Sequence, residues 1–216
     1  MELKGKKLLF LGDSITEGAG TSSIEHVYWR VLGACAGAEV VGYGIGGTRI
    51  ARQLHPDDPH RDQHFASRVE GMDPQADVVV VFGGTNDYGH GDAPLGTMAD
   101  REDSSFYGAL HTLCRKLIER YPAATIVFIT PTHRLDENRA VNEFGVRNVA
   151  TLGGYAAAVK QVAAYYALPV LDLQAVSGLQ PEVPVLRERY MPDGLHPNDA
   201  GNALIAERLQ NFLQTL

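Results

Sequence analysis

The chain has 216 residues, the size of one α/β domain, and is long enough to bury a core without covalent staples. Hydrophobic residues make up 44% and charged residues 21%. The formal net charge is -7, which repels phosphate backbones and anionic membranes and argues against a nucleic-acid partner.

The N-terminus places Lys4, Lys6 and Lys7 before a short apolar run, Leu8–Leu11, which Gly12-Asp13 stops. That run is too short for the core of a secretion signal. No segment approaches the roughly 20 apolar residues that span a bilayer, so a cytoplasmic location is the expectation. The two cysteines, Cys35 and Cys114, make neither a disulfide framework nor a metal spacing, and free, mostly buried thiols are expected.

Five apolar runs read as strands: Lys7–Leu11, Glu39–Val41, Asp77–Phe82, Thr125–Thr130 and Leu168–Leu173. The third contains four consecutive valines, Val78 to Val81. Continuous rather than alternating apolarity suits a parallel strand covered on both faces. Between the strands lie helical patterns. Ser105–Tyr121 carries Phe106, Leu110, Leu113, Leu117 and Ile118 at intervals of three to four residues, and Pro122 ends it. Thr151–Tyr166 is rich in alanine, and Asn198–Leu213 begins just after Pro197. This alternation implies right-handed crossovers. It predicts one domain over residues 1–216, a three-layer α/β/α sandwich with a mostly parallel five-stranded sheet in flavodoxin-like order.

Three stretches lack periodicity: Ala51–Pro74, Tyr88–Asp103 and Pro131–Arg147. Loops that follow strand C-termini in an open parallel sheet build its ligand crevice. These loops hold His55, His60, His64, His90 and His133. They read equally well as solvated surface.

Four blocks carry chemistry. Gly12-Asp13-Ser14-Ile15-Thr16 follows the first strand, where a serine can point into the crevice beside free backbone N–H groups. The same residues fit a helix cap, since Glu17 stands at capping-box spacing from Ser14. Gly42-Tyr43-Gly44-Ile45-Gly46-Gly47-Thr48 matches a dinucleotide fingerprint literally. It follows the second strand rather than opening the first βαβ unit, and it lacks a clear acidic partner about 20 residues on. A turn that supplies a backbone donor explains it as well. Gly83-Gly84-Thr85-Asn86-Asp87 offers the Asn86 amide where an oxyanion could form, or makes an ordinary turn. Asp193-Gly194-Leu195-His196-Pro197 sets a carboxylate three residues before an imidazole. There it can fix the ring tautomer and leave the other nitrogen to accept a serine proton, or Asp193 can simply cap a helix. The histidines are scattered and none has His-Glu-x-x-His spacing, so no metal or other cofactor is expected.

In this order and spacing, from Gly12 to Pro197, the blocks resemble the SGNH (GDSL-like) hydrolases. The resemblance implies a carboxylic-ester hydrolase with Ser14 as nucleophile, His196 as general base and Asp193 as its orienting carboxylate. It implies an oxyanion hole from Ser14, Gly47 (or its neighbour Gly46) and Asn86. The family often has Asn where this chain has Gly42. No Gly-x-Ser-x-Gly elbow is present, so the α/β-hydrolase route to this chemistry is unsupported. Acyl transfer, thioester hydrolysis and lysophospholipid hydrolysis use the same residues, and a catalytically silent ligand-binding domain is the alternative of a different kind. The crevice loops are polar, notably His55–Asp62, Tyr88–Asp92 and His133–Arg139. They predict a short acyl group, most plausibly acetyl, on a polar scaffold such as an oligosaccharide, with Asp13, Tyr88 and His90 as candidate substrate contacts and Tyr88 stacking on a sugar ring.

Overall fold

The computed structural model describes every residue except Asp57, Glu143, Phe144 and Val146. Those four belong to the loops 51–74 and 131–147 expected around the crevice, so the corresponding parts of that expectation lie outside the described residues.

Strand β1 (Lys7–Gly12) is hydrogen-bonded on both sides. Leu8 is in register with Val40 of β2 (Glu39–Gly44) and with Val78 of β3 (Val78–Phe82). β4 (Thr125–Ile129) and β5 (Val170–Leu171) complete an all-parallel sheet in the order β2-β1-β3-β4-β5. The valine run is buried throughout because its side chains alternate between two cores. Val79 and Val81 join Leu9, Leu11 and Phe128 on one face, while Val78 and Val80 join Leu8, Phe10 and Val127 on the other. The first core is closed by α5 (Phe106–Arg120) and α6 (Leu152–Tyr165), the second by α2 (Tyr28–Ala36) and α9 (Asp199–Thr215). The architecture is the expected three-layer sandwich with flavodoxin-like strand order.

The differences from the expected elements have local causes. β2 runs on to Gly44, because Gly42 and Gly44 leave room for neighbours: the Trp29 ring packs where a Cβ on Gly42 would stand, and the backbone of Thr16 and Glu17 does so at Gly44. β5 is cut to two residues. Ala167 before it takes a positive φ of 56°, and Asp172 after it caps α7 (Leu173–Val176) by accepting from Ala175 N. Helix α2 lies in a stretch with no expected element. Three more short helices were also unexpected, α3 (Phe65–Arg68), α7 and α8 (Pro184–Tyr190), whereas α1 (Ser14–Glu17) stands where the serine block fits a helix start. A further one, α4 (Thr85–His90), occupies the start of the supposedly aperiodic Tyr88 stretch. Of the two free thiols only Cys114 is buried, and Cys35 is exposed on α2. Among the described residues no helix is long and apolar enough to cross a membrane.

In this strand order the chain leaves β1 for one edge of the sheet and returns to β3 on the other side of β1. The crossovers diverge there, and a crevice opens at the carboxyl ends of β1 and β3. The Gly12-Asp13-Ser14 and Gly83-Gly84-Thr85-Asn86 blocks both sit at this point.

Candidate active site

Ser14 is the first residue of α1. Asp13 caps that helix, its Oδ1 accepting from Ile15 N at 3.0 Å. The Ser14 hydroxyl lies 3.0 Å from His196 Nε2, and His196 Nδ1 lies 2.7 Å from Asp193 Oδ2. With the proton on Nδ1, the ring donates to Asp193 and accepts from Ser14. The other Asp193 oxygen accepts from the backbone N–H groups of Leu195 and His196, at 2.8 and 2.7 Å. Burial opposes the Asp193 charge. The two backbone bonds and the imidazole outweigh it and hold the carboxyl below its usual range, so it stays an anion facing the ring.

The turn carrying Asp193 and His196 joins α8 to α9 and is fastened from several sides. Gly194 takes φ 81°, and its carbonyl accepts from Leu135 N at 2.8 Å. Asn202, fully buried on α9, donates to the Pro197 carbonyl at 2.7 Å and accepts from Tyr28 N at 3.0 Å. Tyr28 and Trp29 in turn hold α1: the Tyr28 hydroxyl is 3.0 Å from Thr16 Oγ1, and the Trp29 indole donates to the Thr16 carbonyl at 2.9 Å. Helix α2 therefore ties the serine turn to the histidine turn, although it contributes no residue to the cleft.

The opposite wall comes from the β2 and β3 blocks. Asn86 is buried on α4, and its amide donates to the Thr48 carbonyl at 3.0 Å. The neighbouring Asp87 carboxylate accepts from Ile50 N and Ala51 N at 3.0 and 2.9 Å. These three bonds fix the loop after β2 against α4. Burial raises Asp87 to about 6 despite the bonds it accepts. Gly47 adopts φ 75°, which a residue with a Cβ resists, and the aliphatic stem of Arg61 packs over it.

Ser14, His196, Gly47 and Asn86 meet at one cleft of about 280 Å³, with His90, Arg61 and Arg134 beside them; Ala19 and Leu195 are its apolar side chains among the described residues. Larger hollows lie elsewhere, one of about 430 Å³ beside Tyr43 and Arg68 that Ser14 does not line.

The sequence matches the GDSL-like Lipase/Acylhydrolase family over residues 10–204. The chain belongs to the GDSL-like lipase/acylhydrolase family. It is accordingly a carboxylic-ester hydrolase. Among solved structures, a protein from Lactobacillus plantarum is 33% identical, with a TM-score of 0.83 over 99% of this chain and 98% of its own. A possible lipase from Chitinophaga pinensis is 24% identical, with a TM-score of 0.71 over 97% and 98%. A two-domain esterase active on acetylated mannans is 21% identical, with a TM-score of 0.67 over 99% of this chain and 49% of its own. Among curated proteins none matches.

In this GDSL-family hydrolase the structure brings together Ser14, Asp193, His196, Gly47, Asn86 and His90. Two expected substrate contacts are corrected. Tyr88 is fully buried, its ring edge against Tyr155 and its hydroxyl donating to the Asp136 carbonyl, so it has no free face for a sugar. Asp13 is 1% exposed and serves as a cap; burial raises it to about 6, and its second oxygen makes no hydrogen bond. Of the other loop histidines, His55, His64 and His133 pair with Asp92, Asp103 and Glu137 and are not part of the cleft lining. Sequence reasoning missed Arg61 and Arg134. Both lie in aperiodic loops where spacing carries no information, and their positive charge in an acidic chain was the one available signal.

Proposed function

We propose that the enzyme hydrolyses esters of short acyl groups, such as acetyl, on a polar alcohol through an acyl-enzyme at Ser14. The observation that carries this reading is the unbroken series Ser14 Oγ, His196 Nε2, His196 Nδ1, Asp193 Oδ2 at 3.0 and 2.7 Å, opening on the wall formed by Gly47 and Asn86.

In the first half-reaction Ser14 Oγ bonds to the ester carbonyl carbon as its proton passes to His196 Nε2. The carbonyl oxygen gains charge among the Ser14 and Gly47 backbone N–H groups and the Asn86 amide. Collapse of the tetrahedral species breaks the bond to the alcohol oxygen, which takes the proton from His196. Water then repeats the sequence: it gives a proton to His196, bonds to the acyl carbon, and releases the acid and the Ser14 hydroxyl. The Asp193 carboxylate stays ionised throughout and stabilises the imidazolium.

The lining supports the substrate class. Each buried CH₂ is worth about 0.8 kcal/mol, so a long acyl chain needs an extended apolar groove. Ala19 and Leu195 supply only a small apolar surface. The esterase active on acetylated mannans shares this fold over 49% of its chain, which supports an acetylated carbohydrate as the scaffold. Without Tyr88, recognition of such a scaffold falls to the polar groups at the cleft mouth.

The test is kcat/KM on p-nitrophenyl esters from acetate to palmitate, with acetylated xylo-oligosaccharides alongside and Ser14→Ala as control. Efficiency should be greatest for the shortest acyl groups, and Ser14→Ala should lose turnover while keeping its fold. Efficiency that climbs to eight or more carbons overturns the short-acyl reading, and a well-folded, active Ser14→Ala removes Ser14 as nucleophile. Absence of acetate release from the sugars removes the carbohydrate scaffold.

A further inference from the structure

Helix α4 carries Asn86 at the cleft and, two residues on, Tyr88, which does not share its face. The Tyr88 ring is fully buried, yet the residue does more than fill space. Its hydroxyl donates to the Asp136 carbonyl and accepts from Arg139 N at 2.9 Å. A buried hydroxyl costs free energy unless it is bonded, and a phenylalanine would fill the same core without one. The two groups it bonds belong to the loop after β4. Arg139 N also donates to the Asp136 carbonyl at 3.0 Å, so the phenol closes a turn that is already bonded to itself. Asp136 adopts φ 58°, a conformation that a residue with a Cβ keeps only where its surroundings hold it. On the far side of this turn the Glu137 carbonyl accepts from Leu152 N at 3.0 Å, at the start of α6.

Leu135, next to Asp136, meets the turn that carries Asp193 and His196. Its N–H donates to the Gly194 carbonyl at 2.8 Å, and its Cγ and Cδ1 atoms fill the space that a Cβ on Gly194 would need. Leu135 is half-buried and stands outside both cores as the described residues define them, so Gly194 is the contact that gives the leucine its use. A continuous series of contacts thus runs from the Tyr88 hydroxyl through Asp136 and Leu135 to Gly194, between Asp193 and His196. One helix delivers Asn86 to one side of the cleft and, through Tyr88, braces the imidazole on the other.

We propose that Tyr88 is a positioning residue for ester hydrolysis, setting His196 against Ser14 through Asp136, Leu135 and Gly194. The proposal rests on the esterase reading above, with His196 as the base. The Ser14 hydroxyl and His196 Nε2 are 3.0 Å apart, and a displacement of about 1 Å in such a pair can cost about 10²-fold in rate. The brace acts on this distance and not on the binding of substrate, so its loss falls on kcat.

The test separates the hydroxyl from the ring. Tyr88→Phe keeps the packing against Tyr155, and Leu135→Ala removes a half-buried side chain, so both should fold, as far-ultraviolet circular dichroism will show. On p-nitrophenyl acetate each should lower kcat about tenfold and leave KM within about twofold. Because Tyr88 acts through Leu135, Tyr88→Phe should cost less in the Leu135→Ala background than in the wild type. Tyr88→Phe should also speed amide hydrogen exchange at Leu135, Leu195 and His196 while leaving α9 unchanged. A folded Tyr88→Phe with wild-type kcat overturns the proposal. An equal loss in both backgrounds does so too, since it means that Tyr88 acts on Asn86 alone. If Tyr88→Phe fails to fold, Leu135→Ala decides: wild-type kcat, or unchanged exchange at Leu195 and His196, overturns the proposal. If the wild type turns over no ester, the esterase reading fails by itself. The placing of His196 by Tyr88 is then decided by exchange alone: faster exchange at Leu195 and His196 in Tyr88→Phe upholds it, and unchanged exchange overturns it.

Discussion

The Asn86 amide donates to the Thr48 carbonyl at 3.0 Å across 38 residues of sequence, so the loop after β2 and the helix after β3 are held as one wall of the cleft. One amide hydrogen is committed to that bond. In the proposed mechanism the other meets the substrate oxygen as it becomes an anion. Asn86→Ala should then lower kcat by about 10²–10³ while KM changes much less. Steady-state kinetics on p-nitrophenyl acetate decide it, and a raised KM with kcat intact would assign Asn86 to ground-state binding.

His196→Ala should be nearly as damaging as Ser14→Ala, and Asp193→Ala milder, because the Asp193 carboxylate only orients and stabilises the ring. Groups that act as a unit lose activity non-additively. The Ser14→Ala/His196→Ala double variant should therefore be scarcely worse than either single one. A double loss equal to the sum of the two single losses in free energy contradicts a shared relay.

Asn202 touches neither cleft nor substrate, yet it joins Tyr28 N to the Pro197 carbonyl next to His196. Asn202→Ala leaves both backbone groups buried without their partner, at a cost of about 1–3 kcal/mol for each unsatisfied group. Denaturant unfolding should show the loss. Asn202 is a positioning residue, so the variant should also have a lower kcat with little change in KM. Asn202→Asp keeps the acceptor for Tyr28 N but sets a buried carboxylate oxygen against the Pro197 carbonyl, so at neutral pH it should be no more stable than Asn202→Ala. Wild-type stability in Asn202→Ala would mean that these bonds contribute nothing net.

His90 sets a pH dependence whose sign can be worked out. Burial and the surrounding guanidiniums lower it from 6.5 to about 4, so the unfolded chain takes up a proton that the folded one refuses. Its contribution to stability is present above pH 6.5 and is lost as pH falls through about 4. Asp13 and Asp87, raised by burial from 3.8 to about 6, run the other way: their contribution is present below 3.8 and is lost as pH rises through 6. The His90 part is isolated by subtracting the unfolding free energy of His90→Gln from that of the wild type at pH 7, 5.5 and 4. The difference should decline with pH, and a constant one would refute the lowered value.

Much of this molecule is legible in its sequence because certain residues have few uses. Four consecutive valines specify a strand buried on both faces, and Gly-Asp-Ser after one strand with Asp-x-x-His before the last helix mark the residues of the proposed relay. Helix α2 was hidden. Tyr28, Trp29, Leu32 and Gly33 bury one face at helical spacing, but Val27 gives no side-chain cap to mark where the nine-residue helix starts. α4 was hidden for another reason: Thr85 to Gly89 are buried whatever their polarity, so no amphipathic stripe exists. The burial of Tyr88 follows from its place on that helix, one turn past Gly84. A composition-based reading of the loop as solvated could not supply it.

Ser14 and His196 are separated by 182 positions, and the docking of α9 on α2 is one of the contacts that bring their turns together. No fragment that stops short of α9 can hold the imidazole against the serine. On the mechanism proposed above, synthesis on the ribosome makes the Ser14 nucleophile early and leaves it inert until the last helix emerges and packs. Contacts so distant along a chain are slow to form. In refolding, then, the return of esterase activity should lag behind the return of the far-ultraviolet signal, which makes turnover a clock for the final docking step.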